Sequence, residues 1–494
     1  MKIYCIFISK PQWMVGWPYP GFDNEQFKNE FLEKLKKRFP DVEFAGGDII
    51  TNYAPEKVEK LKEEIKKSDG LLLYTMGLYQ EFLPLVKAGN EFLGVGVPAI
   101  LANYIYGGDY TFILLYENVR RKNLQVVPVS TVDPEKLEET IGIMVGLIRL
   151  KGKRIVNITL DEPKIKLSEE DMGRLMAVIG PELSKVPDEA KESMMKIAMG
   201  GEHYVDVKGI DQCHQWRRDE EKYRKNLKEV FGVEMVRVHP GELIKLYEKV
   251  DEKDAEKMAE DWMNNAQAVK VTRETVTNSA KLYLAIKELM KEKGADGITL
   301  DCATLMMSGK LCAFPCMSFS QLCSEGSTGV CESDMDCAIT MLLGRYIAGR
   351  PGFVANNAYD LTNNRITYLH CTAPIKPYGP EGFSLDYDIV THGDSRFVGA
   401  SPAIKYPEGE DLTTVKISVL EKKVAIRHGK TLGSVKGKEG CTNKVLVESN
   451  ARRTLENYDE KTFGWHRVSF IGEFRESLIA AAKLLGLEIV EEDK

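Results

Sequence analysis

At 494 residues, 43% of them hydrophobic and 29% charged, the chain can bury more than one hydrophobic core and has little composition left for long disordered tails. Its formal net charge of −7 argues against a duplex-binding surface, which needs clustered Lys and Arg, so nucleic acid is excluded as an expected partner. No run approaches a membrane-spanning length, and the N-terminus MKIYCIFISKPQW lacks the apolar stretch and cleavage site of a secretory signal. The ten cysteines are therefore expected to be reduced thiols of a cytoplasmic protein with no membrane partner.

In chain order, KIYCIFIS reads as a strand, followed by a helix around Glu25 to Arg38. VEFAGGDII, GLLLYTM, VPAILAN, TFILLY and LQVVPV read as further strands, several of them separated by amphipathic helices. That βα rhythm predicts an open, mostly parallel sheet, and no GxGxxG opens any of its helices, so the shape does not imply a nucleotide. A second βα region carries VEMVRVH and DGITLDC as strands and TVTNSAKLYLAIKELMKEKG as a helix. After Pro351 short segments rich in Gly, Thr and Val, among them TTVKISVLEKKVAIRHGKTLGSV, read as antiparallel strands joined by tight turns. The tail from Gly472 to Leu487 is helical again, with Leu478, Ala481, Ala482 and Leu485 on one face.

The fold class expected is α/β, with two Rossmann-like βα domains followed by a small antiparallel β-barrel and a C-terminal helix that returns to the α/β part. The boundaries are 1–155, 156–350, 351–465 and 466–494, the last piece packing on the second domain.

The densest chemical cluster is CAFPCMSFSQLCSEGSTGVCESDMDCAITMLLGRYIAG, where a Gly- and Ser-rich loop runs through Glu332 into a hydrophobic helix. Such strand-loop-helix junctions are where open α/β sheets bind ligands. The plainer alternative is that Ser333, Asp334 and Asp336 cap the helix and Glu332 merely favours its dipole. Asp360 and His370 follow in ANNAYDLTNNRITYLHCTAP, where Asp360 could equally close an Asx turn and His370 could be a buried, hydrogen-bonded histidine. His466 stands in FGWHR, which a packed aromatic loop would also explain. Together, two carboxylates and a neutral imidazole suit a divalent cation. Cysteines 302, 312, 316, 323, 331 and 337 have irregular gaps unlike a zinc ribbon and are assigned to packing.

These pieces carry a resemblance. Pro315-Cys316, then Cys331-Glu332-Ser333-Asp334 leading into Ala338-Ile339-Thr340-Met341, then Asp360, His370-Cys371-Thr372-Ala373-Pro374 and Gly464-Trp465-His466 follow one another as in the L-fucose/L-arabinose isomerase superfamily. The chain from about Asp301 onward resembles the C-terminal half of those proteins, whereas the first 300 residues match in βα texture alone. The resemblance implies a metal, usually Mn²⁺, held by Glu332, Asp360 and His466, with His370 as a substrate or metal contact. It implies a homo-oligomer, trimer or hexamer, in which aromatic residues of an N-terminal loop, here Trp13, Trp17 and Tyr19, reach a neighbouring subunit's sugar. Gln212, His214 and Trp216 in DQCHQWRRDE form a further polar and aromatic group suited to sugar contacts.

The activity implied is aldose–ketose isomerisation through a cis-enediolate, with Glu332 and Asp360 as acid/base pair and metal ligands. The alternatives are a metal-dependent epimerase or lyase of the same superfamily, or a non-catalytic sugar-binding protein.

Overall fold

In the computed structural model, which describes residues 1–160, 164–166, 168–180, 188, 202–204, 213–392, 399–437 and 440–494, the run Lys2–Ile8 (β1) is buried from Ile3 to Ile8. Burial on both faces is what a continuous apolar run gives in a parallel sheet covered by helices. Glu43–Ile50 (β2), Gly70–Thr75 (β3), Ala99–Asn103 (β4) and Val126–Ser130 (β5) complete a five-stranded parallel sheet in the order β2-β1-β3-β4-β5. The helix Asn24–Arg38 starts where Asp23 accepts the backbone N–H groups of Glu25 and Gln26, and ends with Lys36, Lys37 and Arg38 beside its negative pole.

TFILLY is a correction to the strand reading, because it lies inside the helix Asp109–Lys122. Thr111, Leu115 and Val119 recur every fourth residue as its buried face, and Asn123 ends it in the left-handed conformation. The β-branched and aromatic composition is overruled by that spacing.

This sheet belongs to one of two compact units, Met1–Lys151 with Glu476–Glu488; the other is Gly152–Arg475 with Ile489–Lys494. The terminal helix Arg475–Leu484 was expected on the second α/β region, yet Glu476–Glu488 group with the first unit. Gly486 lets the chain come so close to Gln125 that any side chain there would meet its amide at 2.4 Å.

The second unit opens with a four-stranded parallel sheet whose spatial order is Thr328–Cys331, Gly297–Leu300, Arg154–Ile158 and Glu234–Val238. Six strands then close into an antiparallel barrel, in the order Glu408–Ser418, Arg467–Ile471, Phe353–Asp360, Arg365–His370, Asn443–Glu448, Lys423–Ser434 and back to the first. Closure leaves none of the six as a free edge. The helix Met335–Ala348, buried from Met335 to Gly344, lies against the barrel. Gly344 makes that approach feasible, since a side chain there would sit 2.3 Å from the Phe470 ring.

Buried charge also ties the barrel together. Glu492 accepts from Arg467 Nη2 at 2.7 Å and from Arg427 Nη1 at 3.0 Å, with all three side chains at most 1% exposed. Arg467 Nη1 in turn donates to the carbonyl oxygens of Gly464 at 2.9 Å and His466 at 3.0 Å, so the ion cluster also pins the backbone on either side of Trp465. Among the described residues no helix is long and apolar enough to cross a membrane.

Candidate metal centre

The strand Thr328–Cys331 runs out into Glu332 and Ser333, both left-handed at φ 61° and 52°, a conformation that costs energy for any residue with a Cβ. Ser333 N–H donates to Leu300 O at 3.0 Å, Ser333 Oγ to Asn157 Oδ1 at 2.7 Å, and the Trp216 indole N–H to Ser333 O at 2.9 Å. His214 Nε2 lies 2.9 Å from Glu332 O; a carbonyl only accepts, so this nitrogen carries the proton. Asp334 then starts the helix by accepting the N–H of Cys337 at 2.7 Å. The strained corner is thus held from four directions, and strain so over-determined is typical of functional sites.

The corner aims Glu332 at two imidazoles. His370 Nε2 lies 3.5 Å from Glu332 Oε1, His466 Nε2 lies 3.7 Å from Oε2, and Cys213 Sγ donates to Oε2 at 3.3 Å. His370 comes from the end of one barrel strand and His466 stands immediately before another. One ligand atom from each of Glu332, His370 and His466 falls within 4.8 Å of the others, so this group, with both imidazoles buried and the Glu332 side chain 34% exposed, could hold a metal ion. The 3.5 and 3.7 Å separations of the Glu332 oxygens from the two imidazole nitrogens suit donors arranged about one cation with bonds of roughly 2.0–2.2 Å. The donor set fits too, since a carboxylate with two imidazoles is the chemistry of divalent transition metals. His370 Nδ1 is buried and has no partner among the described residues.

Electrostatics keep the carboxylate charged. Burial pushes the Glu332 carboxyl up, but the charge of His466, the hydrogen bond and charge of His370 and the Cys213 thiol outweigh it and hold it well below the usual carboxylate range. Burial lowers His370, while its hydrogen bond to Glu332 and that residue's charge raise it further, to about 9. Asp334 is likewise pushed up by burial and pulled well below its ordinary range by Lys416 and His466.

Asp336 behaves oppositely. Burial and the nearby Asp334 raise it to about 7 despite Lys416, and its Oδ2 has no partner among the described residues. Folding therefore favours the protonated form, a contribution present below the unfolded value near 3.8 and lost as pH rises through about 7. Urea midpoints of Asp336→Asn and the parent, measured against pH, are expected to diverge across that window, the parent falling relative to the variant. Parallel curves would refute the assignment.

Of the residues singled out in the sequence, Glu332, His370 and His466 come together, and His214 joins them through the Glu332 carbonyl. Asp360 does not. It ends the strand Phe353–Asp360, where its carboxylate accepts the backbone N–H groups of Thr362 and Asn363, each at 3.1 Å, and the Asn363 amide at 2.7 Å. It belongs to neither group of candidate ligands among the described residues, and the Asx-turn alternative describes it. Asp360→Asn is expected to leave metal affinity and turnover within about twofold and the unfolding midpoint unchanged, since Asn closes the same turn. A hundredfold loss of turnover in this variant would return Asp360 to the site.

Trp13, Trp17 and Tyr19 lie on an exposed loop of the first unit after β1, with Trp13 82% exposed. Gln212 lies outside the described residues. Trp216 is buried and serves the Glu332 corner. Sequence reasoning missed Cys213, which sits in the same DQCHQW segment as His214, and gave Asp334 only a capping role. It also missed Lys416, fully buried in the run TTVKISV and bonded to both oxygens of Asp334. A lone Lys between Val415 and Ile417 in an otherwise apolar strand was the available signal.

No family model matches the chain. Three curated relatives do, and all are named sulfoquinovose isomerase. Those of Priestia aryabhattai and Priestia megaterium are each 25% identical over 231 residues, covering 44% of this chain and 48% of theirs. That of Alkalicoccus urumqiensis is 22% identical over 234 residues, 44% of this chain and 49% of its own. The chain spans about half the length of the relatives it matches, and it is similar over that span to sugar isomerases.

Proposed function

We propose that the chain is a metal-dependent aldose–ketose isomerase of a sugar, with Mn²⁺ held by Glu332, His370 and His466. The observation that carries this reading is the meeting of one ionised carboxylate and two imidazoles at the end of a parallel strand, beside a closed barrel. The sugar-isomerase names of the relatives and the resemblance of the C-terminal half to L-fucose/L-arabinose isomerases support the same reaction class. A bound cation would supply the Lewis acid that polarises a sugar carbonyl and favours a cis arrangement of the neighbouring hydroxyl.

The chain's own residues do the rest. Glu332, ionised at neutral pH, takes a proton from the carbon next to the carbonyl and returns it to the adjoining carbon. His214, its Nε2–H committed to the Glu332 carbonyl, keeps a buried Nδ1 that has no partner among the described residues and is available to accept a sugar hydroxyl. His370 and His466 would supply the imidazole donors that hold the cation beside that carboxylate. The same proposal makes the protein a cytoplasmic homo-oligomer, trimer or hexamer, in which Trp13 and Trp17 stack on the sugar of a neighbouring subunit.

The test is incubation with Mn²⁺ in D₂O and a panel of aldoses and ketoses that includes sulfoquinovose. Deuterium at C1 or C2 together with ketose–aldose conversion is expected for at least one sugar. Epimers or cleavage products would move the reaction to an epimerase or lyase. Failure to retain any transition metal, with no exchange on any sugar, would leave a binding protein.

A further inference from the structure

A second group of candidate ligands overlaps the first. Cys213, Asp334 and His466 also present one atom each within 4.8 Å, using the other face of the His466 ring. The surroundings of Asp334 argue against an ion there. Lys416 Nζ sits 2.8 Å from its Oδ1 and 2.7 Å from its Oδ2, and 3.0 Å from Cys337 Sγ, with Lys416 and Asp334 both fully buried. Oδ1 also accepts the Cys337 N–H at 2.7 Å. A cation at Asp334 would share two occupied oxygens with an ammonium group in a dry interior, where like charges repel strongly.

What remains for Asp334 Oδ2 is His466 Nδ1, 3.1 Å away. An ionised carboxylate can only accept, so Nδ1 must donate, and the lone pair of the neutral ring is then on Nε2, the atom facing Glu332. We propose that Asp334, clamped by Lys416, is the positioning residue that fixes the tautomer and ring orientation of His466, presenting Nε2 to a cation shared with Glu332 and His370. This rests on the metal site proposed above and adds its outer shell, the carboxylate–histidine–metal arrangement whose loss typically weakens metal binding 10- to 100-fold. It also explains why a lysine is buried in a barrel strand. Lys416 holds Asp334 ionised and leaves it only one oxygen direction to spend on His466.

The helix cap makes the idea testable without disrupting the fold. In Asp334→Asn the amide oxygen must stay toward the Cys337 N–H, so the NH₂ group takes the place of Oδ2 and donates to His466 Nδ1. The ring must then carry its proton on Nε2, where a metal would bind. Adding Lys416→Met removes the ammonium that would otherwise be left unpaired.

The experiment uses the full chain with ¹⁵N-labelled histidine, the His466 signals being assigned by difference from His466→Gln, and Mn²⁺ binding followed by EPR of the free ion. Expected results, read at a pH where the His466 ring is neutral, are an Nδ1–H tautomer in the metal-free parent, an Nε2–H tautomer in Asp334→Asn/Lys416→Met, and Mn²⁺ affinity 10- to 100-fold weaker in that variant. An Nε2–H tautomer in the parent overturns the proposal, and this measurement needs no variant to fold. A folded variant with unchanged tautomer and unchanged affinity overturns it as well. A parent that binds no Mn²⁺ while showing the tautomer and its reversal would sink the metal reading and leave the positioning role standing.

Discussion

Glu332→Gln is expected to lower isomerase turnover by at least a hundredfold, on the order of 10²–10⁴, while leaving the fold intact. The glutamine keeps the length of the side chain and reaches the same two imidazoles, so packing changes little. What it removes is the charge that faces His370 at 3.5 Å and His466 at 3.7 Å and the base that moves the proton. Both losses should appear together: Mn²⁺ affinity falls, and deuterium exchange from D₂O into the sugar stops, with a thermal unfolding midpoint close to the parent's. Retained exchange at parental rates would remove Glu332 from the chemistry. The comparison with Asp360→Asn is the sharper form of the experiment, because the sequence grouped these two carboxylates and the fold separates them.

Glu492→Gln should be the most destabilising conservative change in the barrel, by about 3–5 kcal/mol, because it leaves two buried guanidinium groups without a counter-charge. Arg427 and Arg467 both bond this one carboxylate and are at most 1% exposed, so water cannot compensate either of them. Urea unfolding of the variant should show the midpoint shift with little change in slope. The variant should also lose activity out of proportion to its unfolding, since Arg467 holds the carbonyl oxygens of Gly464 and His466. A loss of stability under about 1 kcal/mol would mean that the arginines find other acceptors.

The architecture was largely legible because its signals are local. Apolar runs such as KIYCIFI and GLLLYT mark covered parallel strands, and the alternating, turn-punctuated segments after Pro351 mark the barrel. TFILLY went astray because six residues of high β-propensity look alike in either state, and only the spacing of Thr111, Leu115 and Val119 decides. At the candidate site, sequence reasoning chose Asp360 to join Glu332 and His466 and gave His370 only a contact role, whereas the fold brings His370 to the other two and leaves Asp360 in a turn. Asp360 and His370 lie on neighbouring strands of one hairpin, and which end of a hairpin faces a distant helix is a tertiary fact that ladder spacing does not encode. Lys416 and Asp334 were opaque for a related reason. A buried ion pair between a strand and a helix cap 82 positions apart leaves no periodic trace in sequence.

The Trp216–Ser333 bond has an optical consequence. Trp216 is 1% exposed and its indole N–H ends on the carbonyl of the residue after Glu332; Trp262 is buried too, its N–H on Gln321 Oε1, whereas Trp13, Trp17 and Trp465 are all substantially exposed. The emission of a dry, hydrogen-bonded indole is blue-shifted and hard to quench with iodide. The protein thus carries an intrinsic fluorophore attached to the backbone that aims its key carboxylate. In a Trp262→Phe background, which removes the other buried indole, a variant in which the 332–333 corner relaxes should redden and become quenchable while far-UV circular dichroism stays unchanged, so a fluorimeter can tell a relaxed corner from an unfolded chain.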